Sequence, residues 1–121
     1  MGFTYHEHIV PAMAILTVDD GAGLFKGNQE NFIDLIRTGQ QHGLLVYVVT
    51  AKEFSLSVPH LNGFQYNFLN SKWYRTSVPA PKVVYNRVPY RSQEQLPEVQ
   101  QAIQACMKSS SVKLFNPCFF Q

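Results

Sequence analysis

Two continuous apolar segments, separated by one segment with helical periodicity, constrain the fold more than any other feature of the chain. Residues 12–18 and residues 44–50 are apolar at nearly every position and have the length of a strand that is buried on both faces. Between them, Asn28 is suited to cap a helix, and an apolar stripe that includes Phe32 continues until Gly43. A strand, a helix and a second strand joined by short loops predict a right-handed parallel crossover.

The segment that follows the second strand is rich in aromatic residues. Asn62 and Gly63 form a turn signal, and aromatic residues alternate with polar ones over residues 64–68. Residues 70–72 separate this run from Trp73. The pattern predicts an aromatic β-hairpin that is inserted into the sheet or lies at its edge.

Polar side chains gather where the next apolar run ends. Residues 83–85 fit a short buried strand, and they are followed at once by Asn86 and Arg87, then by Pro89 and Arg91. Proline cannot continue a central strand, so the strand ends here. Ligands of open α/β sheets bind outside the carboxyl ends of the strands, which makes Asn86, Arg87 and Arg91 candidates for substrate or interdomain contact.

The remaining segments complete an alternating order of strands and helices. Residues 92–95 are similar to a capping box, a second apolar helical stripe runs from Val99 to Met107, and residues 112–115 supply a fourth strand. This order predicts an α/β fold of three layers, with a Rossmann-like, mainly parallel sheet of about four strands and the aromatic hairpin.

Length and composition indicate one soluble domain. The chain has 121 residues, enough for one core, and we expect residues 11–121 to form it after a lead-in or flexible tail at residues 1–10. The net charge of +2 comes from scattered basic residues, which argues against nucleic acid. The chain shows no leader pattern and no run of the ~20 apolar residues that a bilayer needs, which predicts a cytoplasmic protein without membrane contact. In that compartment Cys106 and Cys118 are expected to be free thiols.

A glycine-rich loop after the first strand is a weak match to a dinucleotide-binding motif. Gly21, Gly23 and Gly27 could let backbone amides approach phosphate. Their spacing after the strand is long, however, and Asp19 and Asp20 place negative charge where phosphate would lie. The pattern favours a plain flexible loop.

Further candidate residues lie at other element ends and in the hairpin. Lys26 and Asn28 could hold an anion where the first helix begins, and Thr50 ends the second strand. Trp73 and Tyr74 either pack against the core or, if they are exposed, form a surface for a partner.

Two alternatives remain for the charged candidates. Arg87 and Arg91 can bind a carboxylate or phosphate in bidentate fashion, or they can pair with Asp19, Asp20 or a helix end. The spacing of histidines and cysteines is not typical of a metal site, and it indicates no nucleophile. The sequence therefore predicts neither a metal site nor a catalytic residue in this chain.

Several short motifs together resemble one known family. The motifs are the opening strand at residues 14–17, the segment 26–28 with Phe32 and Leu35, residues 46–48, the lone Trp73, residues 114–117 and, above all, residues 81–91. This set is similar to the amino-terminal region of the YheC/YheD-type endospore coat-associated proteins, which are members of the ATP-grasp superfamily. The chain departs from that family at Lys82, where an aspartate is usual.

The resemblance implies a pre-ATP-grasp domain that lines one side of an active site and is not catalytic alone. It implies that an ATP-grasp domain follows, and that this later part of the parent protein supplies the ligands for ATP and Mg²⁺, so no cofactor is expected in this chain. The parent would be a carboxylate–amine ligase-like enzyme of sporulating cells, cytoplasmic or associated with the spore coat. Arg87 and Arg91 would then meet an acidic small molecule, an acidic peptide or the neighbouring domain.

Two other functions compete with this expectation. One is a non-enzymatic interaction module of the spore coat, which would contact coat proteins through the Trp73 hairpin. The other is a stand-alone nucleotide-binding protein of Rossmann-like fold, which would use the glycine loop around Gly23.

Overall fold

Two strands buried on both faces form the centre of the sheet. In the computed structural model, which describes residues 11–116, β1 (Ala12–Thr17) pairs in parallel with β2 (Leu45–Thr50). Helix α1 (Gln29–Gln41) connects them, and its N-cap is Asn28. The predicted strand, helix and strand are confirmed, because each has the periodicity of its own local structure.

An aromatic hairpin follows β2, as predicted. Strand β3 (His60–Asn67) and strand β4 (Lys72–Pro79) pair in antiparallel fashion along their whole lengths. The hairpin joins the sheet where Phe64 pairs with Val48 of β2. It is therefore part of the sheet.

The hairpin turns close to residues 70–72, where the sequence separates its two aromatic runs, but the turn signal at Asn62 and Gly63 forms no turn. Asn62 and Gly63 lie inside β3, and the chain turns at residues 68–71. A Cβ atom on Gly63 would lie 2.9 Å from Cγ2 of Val78 and 3.2 Å from Cδ1 of Tyr47. Gly63 therefore provides space for side chains of neighbouring strands and does not form a turn.

Two further strands extend the sheet on the other side of β1. Strand β5 (Val83–Asn86) pairs in parallel with β1, and β6 (Lys113–Phe115) pairs in parallel with β5. The complete order is β4-β3-β2-β1-β5-β6. The chain is thus α/β, but the sheet is mixed and has six strands rather than being mainly parallel with about four, because both hairpin strands pair into it.

The second helical region begins differently from the prediction. Residues 92–95 do not cap a long helix, because α2 (Arg91–Glu94) is a separate turn and α3 (Pro97–Lys108) starts after it without a side-chain cap. The apolar stripe of α3 is buried as predicted except for Met107, which is 67% exposed.

The sheet buries a separate apolar core on each face. On the α1 face, the core side chains are Ile15, Phe25, Phe32, Ile36, Val46, Val48 and Phe64. On the α3 face, the core includes Ala14, Leu16, Tyr47, Val49, Val84, Val99, Ala102 and Cys106. Successive residues of β1 and β2 alternate between the two cores, so helices cover both faces of the central strands.

Some predictions concern residues outside the described part of the chain. The lead-in at residues 1–10 and Cys118 belong to these, so their predicted states stay predictions. Cys106 is buried on α3, and burial raises the pKa of its thiol to about 11. It is therefore protonated at neutral pH.

The close approach of α1 to the sheet gives a stability test at Gly39. A Cβ atom there would lie 2.5 Å from Cγ2 of Val46 and 2.9 Å from the backbone oxygen of Leu44. We expect Gly39→Ala to lower the free energy of unfolding by about 1–2 kcal/mol, because the steric cost exceeds the helix propensity that alanine gains. Urea unfolding measures this change.

The matched control is Gln40→Ala at the next, exposed position of α1. It should change the free energy of unfolding by less than about 0.5 kcal/mol. A Gly39→Ala chain as stable as the native one would contradict the described contact between helix and sheet.

Candidate functional site

The carboxyl end of β1 brings two chain segments together. The backbone oxygen of Leu16 accepts a 2.8 Å hydrogen bond from the backbone N–H of Arg87. The hydroxyl of Thr17 donates a 2.7 Å bond to the backbone oxygen of Lys26, whose own N–H donates to Val18 at 2.9 Å. The segments 25–28 and 86–90 are therefore both held by the end of the central strand.

An open trough lies between these two segments. One end has a volume of about 320 Å³ and is lined in part by Asn28, Phe32, Asn86, Arg87, Pro89 and Asn116. The other end has a volume of about 510 Å³ and is lined by Phe25, Lys26, Gly27, Asn28, Pro89 and Tyr90. Gly27, Asn28 and Pro89 line both hollows, so the two hollows lie side by side, and together they form the trough.

The charged side chains that line the trough are basic. Arg87 lines one end and Lys26 lines the other, and no acidic residue is among the lining residues of either end. Helix α1 begins beside the trough, where the side chain of Asn28 accepts a 3.1 Å bond from the N–H of Asn31. The positive end of the α1 dipole adds to the attraction for an anion.

Gly27 lets the loop approach α1 closely. Its φ of +123° is rare for residues with a side chain, and a Cβ atom would lie 2.7 Å from Cζ of Phe32. The glycine of this loop is thus needed for the shape of the trough wall.

Arg87 is oriented by the strand from which it emerges. Its Nη1 donates a 3.0 Å bond to the hydroxyl of Tyr85, and its guanidinium carbon lies 5.3 Å from the centre of the same ring. Among the described residues it forms no ion pair, so the alternative that it pairs with Asp19 or Asp20 is wrong. Asp19 instead lies 4.0 Å from Lys52.

Asn86 supports the trough wall from behind. Its side chain is only 1% exposed, its Nδ2 donates a 2.9 Å bond to Oε2 of Glu94, and its Oδ1 accepts a 3.1 Å bond from the N–H of Val88. Both ends of the amide are therefore used inside the protein. The role of Asn86 in this structure is to fix the turn that carries Arg87.

Glu94 is the residue that the sequence did not reveal. It is 5% exposed, and its side chain accepts a hydrogen bond from that of Asn86 instead of completing a capping box. Glutamate is usually exposed, and the neighbouring residues of Glu94 are polar, so the local sequence gives no indication that this side chain is buried. Only the packing of α2 beneath the end of β5 brings it into the protein.

Of the other predicted site residues, some line the trough and others do not. Lys26 and Asn28 line it together with Arg87. Thr50 is buried beside Thr17 in the β1–β2 pairing and does not line the trough. Arg91 is exposed at the start of α2 and is not among the lining residues.

Trp73 and Tyr74 lie on opposite faces of the hairpin. Trp73 packs edge to face against Phe25 at 4.8 Å and against Tyr66 at 5.1 Å. Tyr74 is 47% exposed on the other face. Trp73 thus stabilises the loop that carries Lys26, and the use of the two residues as one partner surface stays a prediction.

Several backbone N–H groups of the glycine loop, which a phosphate would need as donors, are bonded to aspartate side chains of the same loop. The carboxylate of Asp20 accepts bonds from the N–H of Ala22 at 2.7 Å and of Leu24 at 3.0 Å, and Asp19 accepts one from Gly21 at 2.9 Å. These backbone bonds lower the pKa of Asp20 below its usual range. The arrangement weighs against nucleotide binding at this loop.

This arrangement predicts how the loop responds to acid. Because the pKa of Asp20 is lower in the folded chain, its contribution to stability is complete above the ordinary aspartate pKa and is lost as the pH falls through the lowered value. The amide proton shifts of Ala22 and Leu24, followed by NMR, should move with one midpoint below the usual aspartate range.

The Asp20→Asn chain is the control for this titration. Its amide protons at residues 22 and 24 should show no such midpoint, because the side chain no longer ionises. A native midpoint at or above the usual aspartate value would contradict the described hydrogen bonds.

Within residues 11–116, no three histidine, cysteine, aspartate or glutamate side chains are grouped so that they could hold a metal ion. In the same part of the chain, no helix has the length and apolar character needed to cross a bilayer. No protein-family model and no curated protein matches the sequence.

Proposed function

We propose that this chain is the substrate-side, amino-terminal domain of an ATP-grasp, carboxylate–amine ligase-like protein associated with sporulation. The single observation that carries the proposal is the trough at the carboxyl end of β1 and β5, whose charged lining residues are Arg87 and Lys26. The proposal includes that the domain is of the pre-ATP-grasp, Rossmann-like type. An ATP-grasp domain that follows it closes the trough over the substrate, in the cytoplasm or at the spore coat.

The trough suits the acidic group of a small molecule or peptide. A guanidinium has five N–H donors in a planar fork that matches a carboxylate. Among the described contacts, only Nη1 of Arg87 donates to another side chain, that of Tyr85, so further donors are available to a ligand. Asn28 and Asn116 also line this end, where the side-chain amide of Asn116 donates a 3.0 Å bond to the backbone oxygen of Asn86.

The lining residues are mainly groups suited to binding. The trough has no carboxylate, imidazole or thiol among its lining residues that could move a proton. It also lacks the carboxylate oxygens that Mg²⁺ prefers, so Mg²⁺ does not fit here. Under the proposal, the ligands for ATP and Mg²⁺ lie in the following domain, and this chain alone has no activity.

A second candidate function is an interaction module of the spore coat. The observation that favours it is the tip of the hairpin, where Leu69 is 98% exposed beside Phe68 at 37%. Exposed apolar side chains of this kind occur at surfaces that bind other proteins. In that case Leu69→Ser should prevent assembly with coat proteins, and Arg87→Met should leave assembly unchanged.

The proposed function is tested by calorimetry on the 121-residue chain. Glutarate should bind with a Kd in the millimolar range, and Arg87→Met should weaken it about fivefold or more because a charge-assisted contact is lost. ATP should bind no better than about 1 mM, because the lining residues of the trough include no carboxylate to hold the Mg²⁺ that accompanies its phosphates.

The matched control is Arg37→Met, which removes the same charge from an exposed position on α1 where Arg37 pairs with Asp34 at 2.6 Å. Glutarate affinity should be unchanged in this variant. Micromolar binding of ATP, or equal loss of glutarate binding in both variants, would contradict the proposed function.

A further inference from the structure

The second end of the trough has a cation of its own. Lys26 lines that end, about 510 Å³ in volume, while Arg87 lines the first end. The residues that line both ends are Gly27, Asn28 and Pro89, and none of them carries a charge. The trough therefore has one positive charge near each end and an uncharged middle.

We infer that the ligand is an elongated molecule with two carboxylates separated by an apolar spacer. This inference rests on the proposed function, because the first carboxylate occupies the same Arg87 end. A ligand with one acidic group can satisfy only one of the two cations, whereas a diacid of sufficient length contacts both. The spacer packs along Pro89 and the ring of Tyr90, which is 62% exposed.

Acidic side chains lie near Lys26, and their interaction with its charge must be distinguished from its interaction with a ligand. Lys26 also borders a hollow lined by Asp19, Lys52 and Glu98, and its charge contributes to the lowered pKa of Asp20. The backbone bonds from Ala22 and Leu24 are the larger causes of that shift. Lys26 is itself exposed, so its ammonium group is accessible to a ligand.

A series of dicarboxylates of increasing length tests the inference. Malonate, glutarate, pimelate and azelate are titrated into the 121-residue chain, with hexanoate as the acid that has a single charge. Affinity should rise with spacer length until the diacid reaches both cations. The best diacid should then bind about threefold to fivefold more tightly than hexanoate, the effect of one exposed ion pair.

Two variants of Lys26 show whether the second end causes this gain. Lys26→Met should reduce the best diacid to the affinity of hexanoate and leave hexanoate unchanged. Lys26→Arg keeps the charge and should restore the dependence on length. This rescue separates a contact with the ligand from damage to the loop, because a damaged loop would also weaken hexanoate.

The outcomes distinguish this inference from the proposed function. Equal affinity for all diacids, or a length dependence that survives in Lys26→Met, overturns the two-ended site while binding at Arg87 stands. If no acid binds in a manner that depends on Arg87, the proposed function falls and the inference falls with it.

Discussion

The carboxyl end of β1 determines the geometry of the site. This strand is paired on both sides and buried on both faces, so its position is fixed by the two cores of the protein. Its last residues hold both trough walls, since Leu16 accepts from Arg87 and the hydroxyl of Thr17 donates to Lys26. The backbones that carry the two cations are therefore positioned by one strand rather than by independent loops, and such preorganisation lowers the entropy cost of binding.

Each wall has a second support farther from the strand. Behind Arg87, the buried side chains of Asn86 and Glu94 fix the turn after β5. Nδ2 of Asn86 donates a 2.9 Å hydrogen bond to Oε2 of Glu94. A buried carboxylate is costly unless it is hydrogen-bonded, so the amide of Asn86 has a structural reason to be there. Behind Lys26, Phe25 packs against Trp73 of the hairpin. The aromatic hairpin thus contributes to the site indirectly, through packing.

The parts of the fold that the sequence predicted are those with strong local periodicity. The two apolar strands and α1 follow from residue spacing, and so does the clustering of polar groups at strand ends. The turn signal at Asn62 and Gly63 is wrong because Gly63 instead leaves space for the side chains of Tyr47 and Val78, which are distant in sequence. For the same reason, the direction of the Asn86 side chain could not be predicted, because it depends on where α2 places Glu94.

The central claim is that an acidic ligand binds between the two segments held by β1. NMR titration of the ¹⁵N-labelled 121-residue chain with glutarate measures this directly, because every backbone amide outside proline reports its own surroundings. The largest shift changes should occur at the amides of Gly27, Asn28, Arg87 and Val88. Changes centred on the hairpin tip at residues 68–71 or on the loop at residues 19–24, with residues 27, 28, 87 and 88 unmoved, would contradict the account.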